Sequence, residues 1–106
     1  MVNRPVQITN SLLSNAAATL GVAVPASTTY TLKEIHLYNS GAGVNRVRIR
    51  HVGTDADTFD IVDENMAAGA TLNLPFNLVM VAAEYLKGYA TTANEVHIVA
   101  SAFSTV

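Results

Sequence analysis

Hydrophobic and polar residues alternate along most of the chain, with a period of two. The segment 95–103 has the pattern most clearly, because Val96, Ile98, Ala100 and Ala102 occupy every second position. Such alternation places one side of a strand on a core and the other side outward. Turn residues separate the alternating runs. The pattern predicts about eight strands, near residues 6–9, 17–24, 28–39, 44–52, 58–63, 70–74, 84–91 and 95–103.

The number and spacing of these strands predict the fold class. Short strands separated by turns at this spacing are typical of sandwiches and barrels, and 106 residues leave room for one core. We therefore predict an all-β, single-domain β-sandwich of the jelly-roll kind over residues 1–106. Residues 1–10 are expected to be held either by the domain's own sheet or, as an extended N-terminal arm, by a partner.

One segment, YTLKEIHLYN, changes the parity of its hydrophobic positions. Tyr30 and Leu32 share one parity, whereas Ile35 and Leu37 share the other. A β-bulge adds one residue to a strand and so reverses the parity beyond it. The segment therefore predicts a bulge near residues 33–34, with both hydrophobic pairs facing the core.

Other positions limit the strands. Pro75 has no N–H to donate to a ladder, so it ends its strand or lies at a sheet edge. Residues 79–90 include helix formers, but the neighbouring strands, Tyr85 and Tyr89 favour a strand over 84–91. In the segment 17–24, the alternation predicts four residues that face the core: Ala18, Leu20, Val22 and Val24.

The composition indicates a surface that is partly covered. Half of the chain is hydrophobic and 13% is charged, against about 25% charged in an ordinary soluble domain. We expect copies of the chain or a larger body to cover part of the surface; the alternative is an alanine-rich domain that is merely neutral. A net charge of −2 gives no general attraction to nucleic acid. No apolar run reaches the 18 residues of a membrane span, and the absence of Cys excludes disulfides and thiolate metal sites.

Candidate catalytic chemistry is sparse. His36, His51 and His97 lie in separate strands without metal-ligand spacing, so cross-strand or interface histidines are expected. The run DADTFD (residues 55–60) resembles a calcium loop, but Phe59 and Asp60 occupy positions where that loop needs a ligand and a glycine. A solvated acidic turn is the favoured interpretation. The sequence predicts no catalytic residue, no metal and no cofactor.

The arginines at 46, 48 and 50 occupy every second position of one strand and precede most of the acids. In an antiparallel hairpin in which the residue numbers of each opposite pair sum to 110, apolar residues pair on one face and charged residues pair on the other. It pairs Arg46 with Glu64, Arg48 with Val62, Arg50 with Asp60, Ile49 with Ile61, and His51 with Phe59. Arg48 is left without an acid, and we expect it to contact an acidic partner surface. Paired arginines release few counterions, so nucleic acid is not an expected partner.

Three segments resemble small β-sandwich virion proteins of tailed bacteriophages, of the capsid decoration or head-tail accessory type. They are YTLKEIHLYNSGAG, with its Asn-Ser-Gly turn, MAAGATLNLPFNLVM, and the closing pair EYLKGYATTANEVHIVASAF. Such proteins often carry a Gly-acid turn before the penultimate strand, where this chain has Ala82-Ala83-Glu84. The resemblance implies a structural role in the virion, assembled in the host cytoplasm, and no catalytic residues.

The expected function is therefore capsid decoration, without catalysis. A neck, tail or fibre component is the first alternative. A carbohydrate-binding module is the second, although the chain has no Trp and its four Tyr are scattered. The expected partners are copies of the chain, as a trimer, and the major capsid protein or another virion protein. Val99 and Phe103 point away from the core in the closing strand, and we expect them to contact a neighbour.

Overall fold

The computed structural model describes residues 3–53 and 58–106. Within these ranges the chain forms eight strands and no helix that is long and apolar enough to cross a membrane. The strands are β1 (Asn3–Leu12), β2 (Ala18–Leu20), β3 (Thr29–Asn39), β4 (Asn45–Val52), β5 (Thr58–Met66), β6 (Thr71–Met80), β7 (Tyr85–Ala90) and β8 (Val96–Thr105).

The strands form two four-stranded antiparallel sheets. The first sheet has the order β1-β8-β3-β6 and the second has the order β2-β7-β4-β5. Strands whose numbers add to nine pair with each other, from β1 with β8 to β4 with β5. A long two-stranded ribbon that rolls up in this way is a jelly roll. The predicted all-β jelly-roll sandwich is confirmed.

The core lies between the sheets and takes every second residue of the long strands. Val96, Ile98, Ala100 and Ala102 of β8 are all buried, as their alternation predicts. They pack with Leu13, which follows β1, and with buried residues of both sheets, including Leu32, Ile35, Leu37, Val47, Ile49, Met66, Met80 and Leu86. Burial of one such side chain contributes roughly 1.5–3 kcal/mol to folding, so this apolar layer is the main source of stability.

The predicted irregularities of β3 and β6 are confirmed. The register of β3 shifts between Leu32 and Glu34 against both of its neighbours. Tyr30, Leu32, Ile35 and Leu37 are consequently all buried. Pro75 lies in β6, which is an edge strand of the first sheet, where a missing N–H costs least.

The segment 17–24 differs from its prediction. The strand β2 covers only Ala18–Leu20, and the side chain of Val22 is 71% exposed rather than in the core. Gly21 has φ +69°, a left-handed conformation that ends the extended strand. The alternation therefore breaks at Gly21, and Val24 becomes buried through a turn rather than through continued strand geometry.

Two other segments behave as strands. Residues predicted as 84–91 form β7, Tyr85–Ala90, which confirms the strand over the helix. Residues 3–12 form β1, whose register runs from Asn3 opposite Thr105 to Leu12 opposite His97. The first sheet therefore holds this segment; its role as an arm that reaches a neighbour stays a prediction.

Candidate interaction surfaces

The two outer faces of the sandwich differ in charge. The outer face of the first sheet is formed by every second residue of β1, β8, β3 and β6. Among its described residues, Glu34 is the only Asp or Glu and Lys33 the only Lys or Arg, and both lie at the β3 bulge. The rest of this face is uncharged, which is unusual for a solvent-exposed sheet of four long strands.

Large apolar side chains lie toward both ends of this face. At one end, Phe103 lies opposite Pro5 on one side and Thr31 on the other, and Thr31 lies opposite Val79. Phe103 is 44% exposed and Val79 is 56% exposed. At the other end, Leu12 and Tyr38 flank His97 and are 50% and 41% exposed. The two middle rows between these ends are mainly polar, with Pro75 in one and Val99 in the other.

The structure places the predicted interaction residues of β8 on this face. Val99 is half-buried and Phe103 is exposed, and both point away from the core that Ile98 and Ala102 fill. The outward direction that their parity predicts is therefore present in the structure. A partner for them stays a prediction.

Two of the three histidines make cross-strand contacts, and the third contacts the turn before β7. On the outer face of the first sheet, His36 Nδ1 pairs with Asn73 Oδ1, and His97 Nε2 lies 2.6 Å from Asn10 Oδ1. His51 is buried in the second sheet, with Nε2 3.2 Å from a carboxylate oxygen of Glu84.

Metal-binding groups do not cluster in the part of the chain that the structure describes. No group of three His, Asp or Glu side chains there is placed to hold a metal ion. The candidate calcium loop includes Asp55 and Asp57, which lie outside the described residues.

The outer face of the second sheet carries an arginine ladder, which consists of Arg46, Arg48 and Arg50 of β4 with Asp60 and Asp63 of β5. Arg46 donates to both carboxylate oxygens of Asp63, at 2.9 Å each. Arg48 donates to Asp60 at 2.6 Å and to the Tyr89 hydroxyl at 3.1 Å. Arg50 donates to the second oxygen of Asp60 at 2.9 Å.

The predicted register of this hairpin is correct at its loop end and wrong beyond it. Arg50 lies opposite Asp60 and His51 opposite Phe59, as predicted. The register then shifts between Ile49 and Arg50, so that the residue numbers of each remaining pair sum to 111. The observed partners are Val62 for Ile49, Asp63 for Arg48 and Asn65 for Arg46.

The shift changes the role assigned to Arg48. This residue does not lack an acid, because the extra residue of the β5 bulge brings Asp63 opposite it and leaves Asp60 within reach. The predicted Arg46–Glu64 pair is wrong for the same reason. The side chain of Arg48 is 25% exposed and is already hydrogen-bonded within the chain.

The ladder stabilises the ionised forms of its acids. The hydrogen bond from Arg48, with a smaller one from Arg50, holds the pKa of Asp60 below its usual range. The hydrogen bond from Arg46 lowers the pKa of Asp63 in the same way. The same contacts raise the pKa of Arg48, through Asp60 first and Tyr89 second, so the guanidinium stays charged.

We expect this ladder to make stability depend on acid pH. A carboxyl whose folded pKa is lowered adds stability above its unfolded pKa of about 4, and that stability is lost as pH falls through the folded value. The variant Asp60→Asn/Asp63→Asn should therefore be less stable than the wild type at neutral pH. The difference should shrink below about pH 4. Urea midpoints across pH measure it, and Glu64→Gln, on the same strand, is the matched control. A stability difference between the variant and the wild type that is the same at neutral pH and below about pH 4 would contradict this account.

A buried asparagine network closes one end of the sandwich. Asn39 is fully buried, and its amide nitrogen donates to the carbonyl oxygens of Gly43, Met66 and Ala67 at 2.9, 3.0 and 3.2 Å. Its side-chain oxygen accepts from the Gly41 N–H. A buried side-chain amide needs such partners, and here they come from two different turns.

Asn45 extends this network to a third turn. Its amide nitrogen donates to Asn39 Oδ1 at 3.1 Å and to Glu95 Oε1 at 3.0 Å, and its oxygen accepts from the Thr92 N–H at 2.8 Å. The turns at 40–44, 67–70 and 91–95 are therefore tied together. Sequence reasoning missed this network, since both asparagines resemble ordinary turn residues at the ends of strands.

Comparison with known proteins finds similar structures. No protein-family model and no curated protein matches the sequence. A chain of the Bacillus endospore appendages, a family of disulfide-linked pili, matches with a TM-score of 0.61 and 15% identity over 99% of this chain and 87% of that one. A chain from infectious bursal disease virus, Gx strain, matches with a TM-score of 0.60 and 15% identity; it covers all of this chain and 33% of that one.

The Tobacco streak virus coat protein, solved as a dimer, is also similar. It matches with a TM-score of 0.55 and 10% identity, over 96% of this chain and 84% of that one. The chain shares its fold with viral coat proteins. Identities of 10–15% establish the fold alone, so partners and function are argued separately below.

Proposed function

We propose that the chain is a structural protein of a virus particle, and specifically a capsid decoration protein of a tailed bacteriophage without catalytic activity. The observation that carries the proposal is a complete jelly roll with one broad, nearly uncharged outer sheet face. A domain that stays alone in water normally carries charged side chains over such a face, so a broad uncharged face indicates a contact surface. The resemblance of three sequence segments to phage virion proteins supports the phage assignment.

The similar structures support the structural role. The Tobacco streak virus coat protein is matched over 84% of its own chain, so a single jelly roll of this size is enough for a coat subunit. The infectious bursal disease virus chain is three times longer than the part that matches. Both similarities support a structural role in a virus particle, and the choice of decoration over the shell itself rests on the resemblance of the sequence segments to phage virion proteins.

Self-association belongs to the same proposal. We expect a homo-oligomer, with a trimer as the form predicted from the sequence, seated on the major capsid protein or another virion protein. Val99 and Phe103 supply apolar contact on the first sheet. On the second sheet, the ladder around Arg48 and the base Lys87 place four bases against two acids, which suits an acidic partner surface.

Binding to capsids tests this function. The purified chain should sediment with undecorated capsids assembled from the major capsid protein of the same phage, and the capsids should then resist heat or denaturant better. Bound protein that saturates at a fixed ratio to capsid subunits is the expected result. A chain that stays in the supernatant at every ratio would overturn the decoration role, and glycan-array binding would favour the carbohydrate-binding alternative.

A filament subunit is the second candidate, and it also covers the neck, tail and fibre alternatives. The similarity to the endospore appendage chain, which covers 87% of that protein, favours it. The present chain has no Cys, so it could not link its copies by disulfides. Filaments in electron micrographs of concentrated protein would support this candidate over decoration.

A further inference from the structure

All four sheet edges carry features that oppose the addition of another strand. In the first sheet, β1 contains Pro5 and a register shift, and β6 contains Pro75. In the second sheet, β2 has only three residues, and β5 carries a bulge and the exposed acid Glu64. Prolines, bulges, short strands and charges are the devices that block edge-to-edge pairing. A neighbour is therefore expected to contact a sheet face rather than a sheet edge.

Of the two faces, the outer face of the second sheet is poorly suited to a second copy of the same chain. Arg46, Arg48, Arg50 and Lys87 face outward there, against Asp60 and Asp63. Two such faces in contact would bring eight bases together with four acids and remove their water. Like charges in a desolvated interface oppose binding strongly, so this face favours a different partner.

The outer face of the first sheet has a pattern that suits its own copy. Along the strands it runs from an end row with the exposed apolar residues Phe103 and Val79, through two mainly polar rows, to an end row in which Leu12 and Tyr38 flank His97. A two-fold axis in the plane of contact keeps the ends of the strands when it runs along them and exchanges the ends when it runs across them. In both cases apolar rows meet apolar rows and polar rows meet polar rows. The face is thus complementary to itself, as an isologous interface requires.

The two charges of this face fit the same symmetry. Lys33 and Glu34 are adjacent at the bulge, beside Ser101 in the middle part of β8. Lys33 Nζ donates to Asn77 Oδ1 at 3.0 Å, and Glu34 is exposed without an ion pair in the described part of the chain. Two copies related by a nearby two-fold axis can place each lysine against the other copy's glutamate. The charges then fix the register of the contact, while the apolar rows supply its area.

We propose that the outer face of the first sheet is the contact between two copies of this chain, packed face to face around a two-fold axis. Four strands of about ten residues span about 33 by 19 Å, and protruding side chains add to that area. This is of the order of the roughly 800 Å² that each partner buries in a standard interface. The inference rests on the self-association in the proposed function. A two-fold contact gives an assembly with an even number of chains: two if single chains pair, or six if trimers pair.

Charge insertion at the apolar rows tests this contact. Phe103→Lys and Val79→Lys place a lysine in the interface, and both positions are exposed in the single chain, so folding should survive. Val44→Lys is the matched control, because Val44 is 63% exposed in the β3–β4 turn, away from this face. In sedimentation equilibrium, we expect each face variant to weaken self-association by about tenfold or more. Unfolded variants would be recognised by circular dichroism.

Single cysteines provide a second measurement, since the chain has none of its own. Ser101→Cys introduces a thiol in the middle of the face, and Lys87→Cys introduces one on the outer face of the second sheet. Mild oxidation should join Ser101→Cys into a covalent pair at a much higher yield than Lys87→Cys. Equal yields at the two positions would contradict the two-fold contact.

The outcomes separate this inference from the proposed function. A chain that is monomeric at all concentrations, or an oligomer that Phe103→Lys and Val79→Lys leave intact, overturns the contact. Capsid binding is measured separately, so a chain that pairs through this face and ignores capsids refutes only the decoration role. A strict trimer whose Ser101→Cys variant does not cross-link refutes the contact and leaves the decoration role standing.

Discussion

Replacing Gly21 with alanine is expected to lower the free energy of unfolding by about 3 kcal/mol. Gly21 has φ +69°, a conformation that costs an ordinary residue roughly 1–2 kcal/mol. A Cβ added there would also lie 2.0 Å from the Ile8 carbonyl oxygen. That oxygen is backbone, so β1 itself must move, and such overpacking costs about 1–3 kcal/mol more.

Gly69 provides the matched control for this prediction. It has φ +73°, but apart from its own chain neighbours no atom lies within 4 Å of its added Cβ. Gly69→Ala should therefore show only the backbone strain, about 1–2 kcal/mol. Urea unfolding of the two variants measures the difference, which isolates the clash with Ile8. Equal losses would mean that β1 and the turn after β2 are not in close contact.

Asn39→Ala is expected to destabilise the protein by about 3–5 kcal/mol. The change removes five hydrogen bonds: four with backbone groups of Gly41, Gly43, Met66 and Ala67, and one of the three that the Asn45 side chain makes. Each buried group left unsatisfied costs roughly 1–3 kcal/mol, and water that enters the site offsets part of this. Since small domains have a total stability of about 5–15 kcal/mol, the variant should be only marginally folded.

Asn65→Ala is the control for the asparagine network. Asn65 is exposed on β5 and opposite Arg46, so its replacement should change stability by less than about 0.5 kcal/mol. Denaturant midpoints for both variants give the comparison. A loss at Asn39 no greater than at Asn65 would show that the three turns hold together without the network.

The strands and the core could be predicted because they follow a local, period-two pattern. The β3 bulge was predictable, since apolar residues change parity between Leu32 and Ile35. The β5 bulge was not, because Ile61 and Val62 are both apolar and either parity satisfies the core. Gly21 interrupted a run that looks continuous in sequence, as the backbone angle that ends β2 leaves no mark on the pattern of hydrophobic residues.

The candidate surfaces were predictable only in part. The outward direction of Val99 and Phe103 follows from parity within one strand. The apolar rows depend on which strands are neighbours, so they required the order β1-β8-β3-β6. The burial of Asn39 and Asn45 arises where three turns converge from distant parts of the chain. Such convergence is a property of topology, which single-sequence patterns do not contain.

The pairing of strands whose numbers add to nine also sets the order in which strand pairs can form while the chain is being synthesised. The innermost pair, β4 with β5, is separated by a short connection and can close early. The strand β8 lies between β1 and β3, so β1 cannot begin to pair until His97 has left the ribosome and cannot complete its pairing before Thr105 has. Until then the apolar sides of β1 and β3 have incomplete cover. The first sheet of the nascent domain is therefore complete only after its last strand has been synthesised.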